Sequence, residues 1–313
     1  MATFTQNPQN QAAKNQIELQ KALNPVVMLN LKTGEFNDRF EGDVKKFFPN
    51  FEMKDAYSLQ FADIFSSMVI TQVDGKPKIV GMHGSNYQLT TNQDLIGKAV
   101  QQLNNEFGEG GYAVTVKNLD DRQFKIDFIV NNKTIGLPKV GKNDGVNLKY
   151  SIINSYDGRV KPDVKVGLWR MVCTNGLHAF AFESASNGKK HVDTLSIDLS
   201  KIENQIDEAK SKIQKFEKLR ERALTTKEAQ EALEFVKEQK TMFQVRQLET
   251  VEQIYNSEIT KLGETEGNAW LLYNGFNNVL NHSYNETVTP QQITEIDTRM
   301  LNFITDRFGI AMT

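Results

Sequence analysis

A single cysteine, Cys173, stands among 313 residues, so the chain closes no intrachain disulfide and builds no thiolate-cluster metal site, each of which needs at least two. Prolines number only seven and glycines 20, too few for a collagen-like or proline-rich disordered polymer. Long apolar runs are missing too. Val26 to Leu29 and Ala179 to Phe182 fall far short of the roughly 20 residues that a membrane-spanning helix needs. Charge of one sign is also lacking: 37 basic against 39 acidic residues leave a net charge of -2, which excludes a bulk attraction to nucleic acid or anionic lipid and leaves that work to a local patch. Met1 to Lys14 has neither a basic start nor an apolar core, so no secretory signal is read there and the expected compartment is the cytoplasm. What is present, 39% hydrophobic and 24% charged residues, buries a real core in one large domain or two smaller ones.

Residues 1–24 are polar and rich in Gln and Asn, and read as a tail with a helix from Ala12 to Leu23. After Pro25, short apolar runs are broken by the turn signals Thr33-Gly34, Asp74-Gly75, Gly110-Gly111, Asp120-Asp121 and Asp157-Gly158. Alternation is clean where Phe124, Ile126, Phe128 and Val130 share a face opposite Lys125 and Asp127, with Tyr112 to Lys117 before the Asp120-Asp121 turn. That is one hairpin. A second joins Val146, Leu148, Tyr150 and Ile152 to Val164, Val166 and Leu168 across Tyr156-Asp157-Gly158. Between Thr91 or Asn92 as cap and Phe107-Gly108 as end, Leu95, Ile96, Ala99, Val100 and Leu103 fall at helical spacing.

From about Ser196 the pattern changes. Leu199, Ile202, Ile206, Ala209, Ile213 and Phe216 alternate gaps of three and four, the spacing of a coiled-coil seam. Thr225 and Glu228 form a capping box, and Ala229, Ala232, Leu233 and Val236 give the stripe of the helix that follows. The helical pattern continues through Leu248, Val251, Tyr255, Ile259 and Leu262, and two more helices close the chain. The expected fold is therefore α+β. An antiparallel β-rich domain with an inserted helix spans 25–195, a helical hairpin or coiled-coil arm spans 196–263, and C-terminal helices at 264–313 pack on the β domain. The arm either packs on itself or pairs with another chain in a homo-oligomer.

Catalytic chemistry finds little support. His83, His178, His191 and His282 are scattered without a partner at metal-binding spacing, so neither metal nor cofactor is expected. His83, between Met82 and Gly84, reads as a turn histidine bound to backbone, and Cys173 as an inert strand thiol. Gly108, Gly110 and Gly111 leave a helix and enter a strand, the reverse of a phosphate-binding loop. One region departs from neutrality: between Lys139 and Arg170 seven basic residues face three acidic ones. Lys149, Lys165 and Trp169 share a strand face there, with Arg159 and Lys161 in the turn. Cations beside an aromatic ring are what a single strand of nucleic acid requires, phosphates neutralised and bases stacked. Arg170 falls on the opposite, apolar face, where it either pairs with a carboxylate or reaches a ligand. Asn154 and Asn175 end strands, where an amide closes a turn.

Four segments taken together, Tyr87 to Leu95, Tyr150 to Gly158, Val166 to Leu177, and Asn268-Ala269-Trp270 with Asn274 and His282, resemble the phage/plasmid-related protein family, catalogued as domain of unknown function 932. The likeness runs over roughly residues 80–285, with Tyr273-Asn274-Gly275 standing where an Asn-Ala step is more usual. It implies a bacteriophage or mobile-element gene, an intracellular protein and a DNA-metabolism setting, with no catalytic residues to carry over. The expected function is accordingly a non-enzymatic protein that binds single-stranded DNA through Lys149, Arg159, Lys161, Lys165, Trp169 and Arg170 and assists annealing as an oligomer. The alternative is a protein-binding module, a host-takeover or anti-defence factor, whose helices meet a host or phage protein.

Overall fold

The computed structural model describes residues 7–21, 23–36, 44–48, 65–118, 121–131, 139–140, 144–170, 175–177, 202–239, 243–283 and 290–311. Cys173, Met171, His178, His191 and Leu199 lie outside them, as does the expected strand through Met171-Val172-Cys173.

Two antiparallel sheets organise the first half of the chain. Strands β1 (Val26–Asn30), β2 (Ser67–Val73) and β3 (Lys76–His83) form the smaller, in that order. The β2–β3 turn is Asp74-Gly75, with φ of 49° and 75°, the two left-handed residues that a two-residue hairpin needs to match the strand twist. The larger sheet runs β4 (Tyr112–Asn118), β5 (Gln123–Val130), β7 (Asp144–Ser155), β8 (Asp163–Arg170), β9 (Asn175–Leu177), with the short β6 (Lys139–Val140) beside β7. Both expected hairpins are in it, pairing Val116 with Ile126 and Tyr150 with Val166. Because paired residues share a face, Phe124, Ile126, Phe128, Val146, Leu148, Tyr150, Ile152, Val164, Val166 and Leu168 form one continuous apolar surface.

Helices cover that surface. Besides α1 (Pro8–Lys21) and the short α2 (Val44–Phe47), the inserted helix α3 (Asn92–Phe107) starts where Thr91 Oγ1 accepts from Asp94 N at 3.0 Å. It buries Leu95, Ile96, Ala99 and Leu103. The second half supplies α4 (Ile202–Glu221), α5 (Thr226–Glu238), α6 (Val245–Leu262), α7 (Ala269–His282) and α8 (Pro290–Arg307). Between α4 and α5 lies β10 (Ala223–Leu224), paired with β11 (Gly267–Asn268). The Thr225–Glu228 capping box is present, and its backbone and Arg222 bonds hold the Glu228 carboxyl down at about 2. Central to the layer is α7, buried nearly all round, as a helix enclosed on every side must be. Gly275, at the step where the family resemblance departs, lets α7 meet α6 closely: a Cβ there would stand 3.0 Å from Val251 Cγ1 and from its carbonyl oxygen.

Three expectations change with this architecture. Over its described part, 202–239 and 243–263, the expected arm does not stand free: Ala209, Ile213, Phe216 and Leu219 of α4 are fully buried in a core shared with β7, β8 and α7. The seam-like spacing is the face of an ordinary core helix. The boundary at 195 likewise divides no core, since one cluster runs from Leu95 to Ile304. Finally, residues 8–21 are docked along β4 rather than trailing as a tail.

Candidate nucleic-acid interface

Alternation gives the larger sheet a second face unlike the first. Opposite the apolar surface it carries Lys125, Asp127 and Ile129 of β5, Asn147, Lys149, Ser151 and Ile153 of β7, and Asp163, Lys165 and Trp169 of β8. Ser151 Oγ donates to Asp127 Oδ1 at 2.5 Å, Lys125 Nζ lies 3.6 Å from Asp127 Oδ2, and Lys165 completes that cross-strand row. One row further from the turn, the Lys149 ammonium sits 5.1 Å from the centre of the Trp169 ring, a cation–π contact. Asn147, directly opposite Trp169, is fully buried, and neither of its amide atoms has a hydrogen-bond partner among the described residues. Unpaired buried amides are rare because each lost bond to water goes uncompensated.

The candidate residues therefore separate into four groups. Arg159 and Lys161, in the β7–β8 turn, are exposed, although Arg159 Nε also meets Asp157 Oδ2 at 3.2 Å. Lys165 is half-buried. Lys149 and Trp169 expose only 4% and 8% of their surfaces, so neither presents an open face to solvent.

Arg170 is removed from the interface altogether. Fully buried on the apolar face, it places Nε 2.7 Å from Asp144 Oδ2 and Nη1 2.9 and 2.7 Å from the two Glu258 oxygens. Trp270 Nε1 donates to the same Asp144 Oδ2 at 2.8 Å, and the guanidinium lies over the Trp270 ring at 5.5 Å. This is the carboxylate-paired alternative of the sequence reading, realised twice over. Arg170 and the distant Trp270, both inside the segments that carry the family resemblance, thus meet in a single buried cluster. Asn154 braces the start of α3, its Nδ2 donating to Thr90 O at 3.0 Å and Asn92 Oδ1 at 2.9 Å.

His83 is bound to backbone, as its glycine-flanked position suggested. Nε2 lies 2.6 Å from Tyr156 O, and since a carbonyl only accepts, Nε2 carries the proton. The ring stacks on Tyr87 at 3.5 Å, and Tyr156 Oη accepts from Asn92 N at 3.1 Å. The knot thus joins the small sheet, α3 and the β7–β8 turn. Burial lowers the His83 pKa below its usual 6.5, against the upward pull of the Tyr156 carbonyl and the Asp157 charge. As pH falls below 6.5 the unfolded chain takes up this proton before the folded one does, so stability falls until the depressed pKa is passed. His83→Gln is expected to flatten the pH dependence of the denaturation midpoint between pH 7.5 and 5.5; an unaltered profile would show that the imidazole does not contribute. The window opens near the ordinary 6.5 of the unfolded chain and closes at the lowered folded-state pKa.

Among the described residues no three His, Cys, Asp or Glu side chains converge as metal ligands, and no helix is long and apolar enough to cross a membrane. Sequence reasoning missed Asn147, Asp144 and Glu258. Of these only Asp144 carried a local signal, an acid at the start of a strand otherwise apolar on that face.

The family model described as Domain of unknown function (DUF932) matches residues 80–301, well over half of the chain. No curated protein and no solved structure matches it.

Proposed function

The chain belongs to the DUF932 family, and we propose that it is a non-enzymatic, phage- or mobile-element-derived protein of DNA metabolism that binds single-stranded DNA on the second face of its larger sheet and assists annealing. The observation that carries the reading is the Lys149–Trp169 pair beside the unpartnered Asn147 amide. Cation, aromatic face and unused hydrogen-bonding group adjoin one another on a sheet whose other face is wholly committed to the core. Lys165, Lys161 and Arg159 extend the positive charge to the turn, where a strand first lands. A base that stacks on Trp169 displaces the Lys149 ammonium. Stacking is worth about 1–3 kcal/mol per base, comparable with the ~2 kcal/mol of a desolvated cation–π contact, so the exchange is driven by the phosphate that the ammonium then meets.

Fluorescence anisotropy with labelled oligonucleotides tests this. Trp169→Ala is expected to weaken binding by about 1–3 kcal/mol, with Trp169→Phe intermediate. Asn147→Leu is expected to stabilise the free protein by about 1 kcal/mol, because it removes an unpaired amide while keeping the volume, and to weaken binding at the same time. Oligonucleotide binding indifferent to both substitutions would leave the protein-binding reading in front.

A further inference from the structure

We infer that β4 is a docking edge for a second copy of this chain, held shut by α1 through Asn15. Among the described residues β4 is a terminal strand of the larger sheet, so one row of its peptide groups has no strand partner there. Asn15, the buried residue of an otherwise polar helix, takes that place. Its Oδ1 accepts from Val114 N at 3.1 Å, and its Nδ2 donates to Tyr112 O at 2.8 Å and to Glu109 O at 3.2 Å. A side-chain amide from roughly 100 residues away thus bonds the two groups flanking Ala113 that a neighbouring strand would bond. Gln11 Nε2 donates to the same Oδ1 at 2.9 Å and fixes the rotamer. By period-two alternation the Val116 N–H points to this edge as well.

The hold is light. Ile17 is 61% exposed and Leu19 only partly buried. An open groove of roughly 690 Å³ is lined by Gln9, Ala12 and Gln16 of α1 and by the turn at Phe107 to Gly111. A helix of 14 residues has little stability of its own once its contacts go. The occupant follows from the strand itself. Tyr-Ala-Val-Thr-Val-Lys-Asn is β-branched and carries one charge. Paired antiparallel with itself about Val114, it sets Tyr112 opposite Val116 and Lys117 opposite Gly111, so no like charges meet. Such a pairing is isologous and closes at two chains. None of this depends on nucleic-acid binding.

Light scattering after size exclusion, with amide exchange on the same samples, tests the inference in the full chain. The wild type is expected at its chain mass of 35.5 kDa. Asn15→Asp, whose carboxylate cannot donate to the Tyr112 and Glu109 carbonyls, is expected to lose protection in α1 and to double in mass. Gly110→Ala reaches the same end by another route. Its backbone suits any residue, but a Cβ there would stand 2.6 Å from Pro8 O and push the start of α1 away with Asn15 intact. Adding Val116→Pro to Asn15→Asp removes an edge N–H and should restore the single-chain mass. The inference is overturned by released but monomeric variants, by α1 protection that survives Asn15→Asp, by a dimer that survives Val116→Pro, or by a wild type already at twice its chain mass.

Discussion

Arg170→Ala is expected to remove about 3–5 kcal/mol of stability, which is a large share of the 5–15 kcal/mol that holds a typical domain folded. The size follows from the charge count. One guanidinium, with no exposed surface, serves two carboxylates, Asp144 and Glu258, that expose 2% and 1% of theirs. Remove the arginine and both carboxylates remain in the core without the cation that pairs them, Asp144 keeping its bond from Trp270. The cluster ties β7, β8, α6 and α7 together, so the loss falls on the joint between sheet and helices. Replacing the cluster with largely apolar groups of similar volume, Arg170→Met and Glu258→Met with Asp144→Asn to keep the Trp270 bond, is expected to recover most of the loss, because exchanging a whole buried ion cluster for apolar side chains is often close to neutral. Chemical denaturation of both variants checks this. An Arg170→Ala protein as stable as the wild type would contradict the clamp, and one that folds normally but loses oligonucleotide binding would return Arg170 to the interface.

Ile213→Asp should be nearly as severe. Ile213 is fully buried in α4, in the core shared with the sheet and α7. A carboxylate there either stays charged at great cost or takes up a proton and still leaves a polar group where a branched side chain packed; a loss of about 4 kcal/mol or more is expected. Circular dichroism should report global unfolding. A variant that keeps its folded signal and merely halves its mass in solution would instead make the α4 stripe a seam between chains.

That stripe marks where sequence stops being informative. Gaps of three and four from Ile202 to Phe216 define an apolar face, but the face is the same whether a sheet or another helix covers it. Short-range features were legible because their physics is local: the Asp74-Gly75 turn, the Thr91 cap, the Thr225–Glu228 box and the two hairpins each lie within a few residues or one strand pair. The clamp, the His83 knot and the Asn15 lock join residues 26 to 126 positions apart, and no periodicity reports such a meeting. Charge pattern found the lysines and Trp169 of the candidate face. It could not tell that Lys149 already rests on Trp169, or that Asn147 beside them would be left without a partner.

The dependence of oligonucleotide affinity on salt tests the proposed function most directly. Each phosphate neutralised by a cation releases condensed counterions, giving for single strands a slope of log K against log salt of about −0.7 per contact. With Lys149, Arg159, Lys161 and Lys165 engaged, a slope of about −2 to −3 is expected. Lys165→Ala and Lys161→Ala should each flatten it by about 0.7, alike for every base sequence, whereas Trp169→Ala should lower affinity and leave the slope unchanged. No binding at low salt, or a slope that ignores the lysine substitutions in a folded protein, would contradict the assignment of single-stranded DNA to this face.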